Sequence, residues 1–351
     1  MPTLYLVLAE KSLMMPFDIN QLYDAGIRKL ADEHEAKEAD KLGILRAGNT
    51  GVLINDGEVV GTCARQTYLR FIGIRYEAIE DSKRLMFDAG LSNEDIWITS
   101  LKEGLAAKGD DRTVIRREEE VPVSWVTPSG VKVTGRPDIV LGEMQGESFV
   151  PRLGLELKLV SSVWTARDTG VMLEPKLVHL MQAGHYAWQL NIPFQLWYTN
   201  RAEFAVGSGW EQGTFPPKEN LLTQVLEFGE KKDKRTGRTV KTVKKVLQFR
   251  QGFELEWTKG KQLKYRPILA DKELEWTWTP ITQAGIVSYY EAVLRQPEEK
   301  RLAPRPKSLK PDGSAGTFSL CDYCPLQAVC DRHESNFENW VSAVQAQVSA
   351  K

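Results

Sequence analysis

At 351 residues, with 42% hydrophobic residues, 26% charged residues and a net charge of −1, the chain has the composition of a soluble globular protein with one large domain or two ordinary ones. No transmembrane helix or signal peptide is expected, because no run of about 18 apolar residues occurs and the start MPTLYLVLAEKSLMMPF has no basic n-region or small-residue cleavage site; a cytoplasmic location follows as the expectation. The charge balance excludes a globally basic nucleic-acid binder but leaves room for a local basic groove and for acidic metal ligands.

In chain order, residues 1–45 read as a mostly helical segment, with Asp18–Ala31 apolar at helical spacing and a charged stretch at 31–43. Residues 46–61 are rich in Gly, Asn and Asp and read as loops and a short hairpin. Thr62–Gly73 reads as a helix beginning beside the lone Cys63, with Arg65 and Arg70 flanking Tyr68 and close to Phe71. Basic residues interleaved with aromatics suit single-stranded nucleic acid. The alternative is a helix that packs Tyr68, Leu69 and Ile72 inward. Ala78–Lys108 reads as a long helical region interrupted near Gly90, with Leu85, Met86, Leu91, Ile96, Ile98, Leu101 and Leu105 as its buried stripe.

Thr113–Trp125 and Val131–Leu141 read as a hairpin, and the strand Val131–Gly142 rises from a Pro-Ser-Gly turn and carries Pro137-Asp138. Leu153–Val160 reads as a second strand. Its alternation puts Glu156 and Lys158 on one side and Leu155, Leu157 and Leu159 on the other, buried side. A carboxylate and a lysine on an apolar central strand are costly to bury without partners. A divalent cation held by Asp138 and Glu156 would be such a partner, with Lys158 helping to orient or activate a water at the metal. The plainer alternative is a surface ion pair on a half-exposed strand. Lys176–Leu190 reads as a helix whose Gln182 and Tyr186, four residues apart, share a face; His179 and His185 read as incidental rather than as ligands. Pro193–Tyr198 reads as a central strand.

Residues 227–268 differ in kind. Between Glu227 and Arg250 nine basic residues face three acidic ones, a net +6, with Lys241, Lys244 and Lys245 among them. This reads as a basic β-hairpin or two-stranded arm, with Phe253–Trp257 and Leu263–Ile268 as further strands. Such an arm would grip phosphates; the alternative is a solvated surface loop. Pro280–Arg295 reads as a helix, 296–316 as a linker and Phe337–Ala350 as a final helix. Three of the four cysteines cluster as Cys321-x2-Cys324-x5-Cys330. Four cysteines in a cytosolic chain read as ligands rather than disulfides, and spacing alone leaves zinc and an iron–sulfur cluster both open.

The order P-D, E-x-K, Q-x-x-x-Y resembles the PD-(D/E)xK nuclease superfamily and its RecB-like branch. By that resemblance Asp138, Glu156 and Lys158 are the catalytic set, Asp138 and Glu156 hold Mg²⁺ or Mn²⁺, and Gln182 and Tyr186 position the site or the DNA strand. The branch has a G-x3-H motif whose histidine is a further metal ligand; here Gly90 is followed by Glu94 at that place, so Glu94 is a candidate oxygen ligand that departs from the pattern. Members of AddB-like and CRISPR-associated type carry one cysteine before the core and C-x2-C-x5-C after it, together holding a [4Fe-4S] cluster. Cys63, Cys321, Cys324 and Cys330 match, with zinc as the other candidate occupant.

The resemblance implies an α/β restriction-endonuclease-like core over 46–335, a mixed central sheet flanked by helices, with a basic β insertion at 227–268, an iron–sulfur staple through the 321–330 loop and a C-terminal helix at 336–351. It implies an exonuclease acting on single- or double-stranded DNA ends in recombination, repair, phage DNA metabolism or CRISPR spacer acquisition. A recombinase, a single-strand annealing protein or a helicase would be its protein partner, and no membrane is involved. Arg65, Arg70, Lys241, Lys244 and Lys245 are the candidate DNA contacts. The absence of G-x4-G-K-[ST] argues for a free-standing nuclease or a subunit. A structure-specific endonuclease and a non-catalytic Fe–S DNA-binding subunit stay open as rivals.

Overall fold

The computed structural model describes residues 42–54, 57–74, 81–117, 119–160, 169, 173–200, 227–232, 239–245, 250–269, 273–316, 321 and 324–349, with backbone alone at 81–88, 200 and 227–245. The chain divides into two compact units, Met1–Leu42 and Gly43–Lys351. The helical reading of residues 1–45 lies outside the described residues except at its end.

The second unit begins with β1 (Leu45–Arg46), β2 (Gly51–Ile54), β3 (Glu58–Gly61) and the short helix α1 (Ala64–Phe71). The long helix α2 (Asp81–Ala107) leads to β4 (Thr113–Arg117), β5 (Val123–Val126), β6 (Lys132–Gly135), β7 (Ile139–Gln145) and β8 (Ser148–Val160). Helix α3 (Leu177–Leu190) precedes β9 (Phe194–Asn200), β10 (Glu227–Lys232), β11 (Thr239–Lys245), β12 (Arg250–Trp257), β13 (Gln262–Ile268) and β14 (Thr277–Thr282). Helix α4 (Gln283–Glu299), β15 (Pro306–Lys307), α5 (Gln327–Arg332) and α6 (Phe337–Ser349) complete it.

The architecture is mixed α/β, a large mixed sheet flanked by helices. Seven strands run in the order β14-β13-β12-β9-β8-β7-β4. Every pair in it is antiparallel except β8–β9, which the α3 crossover joins in parallel. Two smaller sheets, β1-β6-β5 and β15-β3-β2, and the separate hairpin β10–β11 complete the β structure of the described residues.

The two faces of the large sheet are covered by different helices, because strand alternation gives each face its own apolar set. On one face Trp97 and Ile98 of α2 pack against Ile139, Leu155, Leu157 and Trp197. On the other, Leu180, Met181 and Ala183 of α3 join Leu196, Tyr198, Phe253 and Leu255 in the main core. Leu155 and Leu157 therefore point to the α2 side, which leaves Glu156 and Lys158 on the α3 side.

Several sequence expectations are corrected in detail. Helix α2 runs unbroken through Gly90, a position where a side chain would meet open space and nothing forces a turn. Its buried contacts come from Trp97 and Ile98, whereas Leu91 and Ile96 are exposed. The strand expected over 131–142 is two strands, β6 and β7, broken where Pro137 removes a ladder donor. Pro280 lies in β14, and α4 starts later, where Thr282 Oγ1 accepts the Gly285 N–H at 2.9 Å as an N-cap. The basic segment forms the antiparallel pair β10–β11, with Glu230 opposite Lys241. Among the described residues no helix is long and apolar enough to cross a membrane.

Candidate active site

The break at Pro137 sets up the site. Strand β7 begins at Ile139, which pairs with Leu155, so Asp138 comes opposite Glu156 where the strand enters the sheet. Asp138 Oδ2 accepts the backbone N–H of Leu157 at 2.6 Å, which fixes the carboxylate against β8. Glu156 is wholly buried. Its Oε1 accepts from Lys158 Nζ, and its Oε2 has no hydrogen-bond partner among the described residues. A buried carboxylate oxygen left without a donor is costly, and an apolar core offers no reason to keep one.

Asp138 and Glu156 lie near the Lys158 ammonium, with Glu94 acting on both at longer electrostatic range. Burial, then the charge of Asp138, pushes the Glu156 carboxyl up to about 8; Lys158 opposes the rise and Glu94 adds to it. Burial works against the charge of Lys158, but Glu156 and Asp138, with Glu94 behind them, hold its ammonium above the ordinary lysine range. Glu94, on α2, thus acts on both groups. Carboxylates in mutual repulsion with an unsatisfied buried oxygen fit a cation of the Mg²⁺ or Mn²⁺ class, which takes one or two protein carboxylates and fills its other positions with water and phosphate.

Helix α3 supplies the other wall. Gln182 Nε2 donates to the Tyr186 hydroxyl at 3.3 Å, one turn along the same face. Burial, then the charge of Glu156, raises the Tyr186 phenol far above its ordinary value, against hydrogen bonds from Gln182 and the Arg136 backbone. The ring lies tight on Gly135, where a Cβ would stand 2.5 Å from Tyr186 Cε1 and 2.7 Å from Ala47 Cβ. The two histidines of α3 are structural members of hydrogen-bond networks. His185 Nε2 accepts the Trp125 Nε1–H at 2.7 Å, which puts its own proton on Nδ1, 2.9 Å from Thr50 Oγ1. Burial pushes its pKa down to about 3, so it stays neutral.

His179 and Tyr198 form a cluster that the sequence reading missed. Tyr198 is the residue paired with Lys158 across β8–β9. Its hydroxyl accepts the Lys176 N–H at 3.0 Å and meets His179 Nδ1 at 2.9 Å, pinning the first turn of α3 to the sheet. Burial, then the nearby charge of Lys158, holds His179 well below the ordinary histidine range. The available signal was the spacing of His179, Gln182 and Tyr186, which places them on one helix stripe.

The four cysteines line a single pocket, between α1 and the segment that carries α5. Burial pushes the Cys63 thiol up to about 11. Four thiols lining one pocket are of the donor type that zinc and iron–sulfur clusters take, but they are not drawn to metal-holding spacing. Among the described residues, no group of three or more His, Cys, Asp or Glu side chains is drawn together at metal-holding geometry.

One expected DNA contact is corrected. Arg65 is 2% exposed and turned inward: its Nε donates to Ala303 O at 2.7 Å and its guanidinium pairs with Glu334. Its place in the first turn of α1, beside the thiol pocket, makes it an interior residue. Arg70, five residues further along the same helix, is exposed and donates to Asn49 Oδ1 at 2.8 Å. Lys241, Lys244 and Lys245 lie on β11, and their side chains fall outside the described set. Comparison with family models, with curated proteins and with solved structures finds no match for this chain.

Proposed function

We propose that this chain is a metal-dependent DNA exonuclease of the RecB-like PD-(D/E)xK kind, hydrolysing phosphodiester bonds at DNA ends. The observation that carries the reading is Glu156, a wholly buried carboxylate with one oxygen held by Lys158, the other without a partner among the described residues, and Asp138 opposite it. An ion pair kept only for stability would be solvated or fully satisfied.

Asp138 and Glu156, with Glu94 in electrostatic range, would hold Mg²⁺ or Mn²⁺. When bound there, such a cation supplies Lewis-acid activation of water and of the phosphoryl oxygen. Lys158, held in its charged form by the carboxylates, stabilises negative charge as it develops on the phosphoryl group. Tyr186 stays protonated and, with Gln182, offers hydrogen bonds that orient the strand rather than a base. The order β7–β8 hairpin, α3 crossover and parallel β9 supports a restriction-endonuclease-like core. Cys63, Cys321, Cys324 and Cys330 would hold a [4Fe-4S] cluster, with zinc as the other occupant, and the β10–β11 arm would grip phosphates. The pathway is DNA recombination, repair or phage DNA metabolism, with a recombinase, annealing protein or helicase as partner.

The test is digestion of linear and closed-circular DNA, single- and double-stranded, with Mg²⁺ or Mn²⁺ and with chelator. Degradation of linear DNA alone, lost in chelator, is expected. Cutting of circles would make it an endonuclease with the same chemistry. DNA binding without cleavage in either metal would make it a non-catalytic subunit.

A further inference from the structure

The thiol pocket is ringed by hydrogen-bond donors aimed at sulfur. Gln66 Nε2 donates to Cys324 Sγ at 3.2 Å, and Trp340 Nε1 donates to Cys330 Sγ at 3.3 Å. Arg65 lines the same pocket, its guanidinium committed to Ala303 O and Glu334. A neutral thiol is a weak acceptor, so a protein gains little by aiming indole and amide donors at one. A thiolate is an anion, and charge-assisted bonds to it are about twice as strong as neutral ones.

Arg65 is buried beside the pocket, and its partner Glu334 also accepts from Arg305, which in turn pairs with Asp331. Gln66 comes from α1 and Trp340, wholly buried, from α6, so the donors reach the pocket from both ends of the described fold.

We propose that Gln66 and Trp340 are positioning residues for the cysteine sulfurs, and that their N–H donors set how firmly the pocket keeps its metal group. The inference rests on the reading that the four cysteines hold a metal group. A donor to a metal-bound sulfur spreads that sulfur's negative charge and fixes its orientation, so each donor removed loosens the group's hold. For an iron–sulfur cluster the same donors also raise the reduction potential.

The test compares wild type with Gln66→Leu and Trp340→Phe, all purified anaerobically. Iron, zinc and acid-labile sulfide are measured first. Metal release to a chelator is then followed at one fixed pH near neutrality. Equal loading is expected, with each variant releasing metal about fivefold faster at a given pH, the weight of one modest hydrogen bond. A fall in midpoint potential accompanies it if the group is a cluster. Fully loaded variants that release metal at the wild-type rate and keep its potential overturn the inference. Wild type that purifies without iron or zinc overturns the four-cysteine reading itself, whatever the variants do. Melting curves check folding, and Gln66→Leu, at a half-buried position, decides the matter if Trp340→Phe does not fold.

Discussion

Replacing Glu156 with Gln separates a structural carboxylate from a cation site. In the folded protein, burial and Asp138 raise the Glu156 pKa from 4.5 to about 8. The folded chain therefore holds this proton more tightly than the unfolded chain. Its stabilising contribution is fully present below about pH 4.5 and is lost as pH rises through about 8. A shift of that size corresponds to as much as about 5 kcal/mol at about 1.4 kcal/mol per unit, an upper figure for a fully buried group. In metal-free protein, unfolding by urea should show stability falling across this window. Glu156→Gln should be flat across it and more stable than wild type at alkaline pH.

The same proton competes with a divalent cation. At about pH 6 roughly one carboxyl in a hundred is ionised, so Mn²⁺ should bind about fifty-fold more weakly than at pH 8, releasing one proton. Calorimetry of wild type in two buffers of different ionisation enthalpy reads both the affinity and the proton. Glu156→Gln should lose most of the affinity and the proton release. Mn²⁺ affinity that is independent of pH, or equal in the variant, would refute the assignment of Glu156 as a ligand.

Other consequences follow from particular contacts. His185→Ala leaves the Trp125 N–H and the Thr50 hydroxyl without their partner and should cost about 2–4 kcal/mol in denaturant unfolding. Because its folded pKa is lowered to about 3, neutral His185 makes wild type lose stability as pH falls below about 6.5, by about 1.4 kcal/mol per unit, and His185→Gln should remove that dependence in acid melts. Gly135→Ala drives a methyl into the Tyr186 ring and should cost about 1–3 kcal/mol, with nuclease activity falling further than stability explains because the Gln182–Tyr186 pair moves. Arg65→Met should cost about 3 kcal/mol yet leave the salt dependence of DNA binding unchanged, since Arg65 is interior. Replacing Lys241, Lys244 and Lys245 together with Ala should lower the log–log salt slope of duplex binding by about 0.9 for each phosphate contact removed.

The site was legible in the sequence where it depended on short spacing. Period-2 alternation gave Glu156 and Lys158 a common side, and the fourfold spacing of Gln182 and Tyr186 gave them a common helix face. Leu155 and Leu157 do turn to the opposite side. What could not be read was pairing between distant segments. Tyr198 stands beside Lys158 only because β9 pairs in parallel with β8, and nothing local to residue 198 announces that register. Arg65 illustrates the same limit. Its neighbours Tyr68 and Arg70 fit a nucleic-acid pattern, but its partners Ala303 and Glu334 lie more than two hundred residues away. Gly90 misled in the other direction, because glycine tolerates a helix interior at a cost of about 1 kcal/mol that the packing of Trp97 and Ile98 offsets.

The measurement that bears most directly on the nuclease assignment is digestion of end-labelled linear DNA in Mn²⁺ by wild type and by Lys158→Ala, each checked for folding and metal content. The account predicts that wild type degrades the DNA and that Lys158→Ala, folded and loaded alike, loses at least about a hundredfold in rate, the scale of removing one charge stabiliser from a transition state. Equal rates for the two proteins, or no degradation by fully loaded wild type, would contradict it.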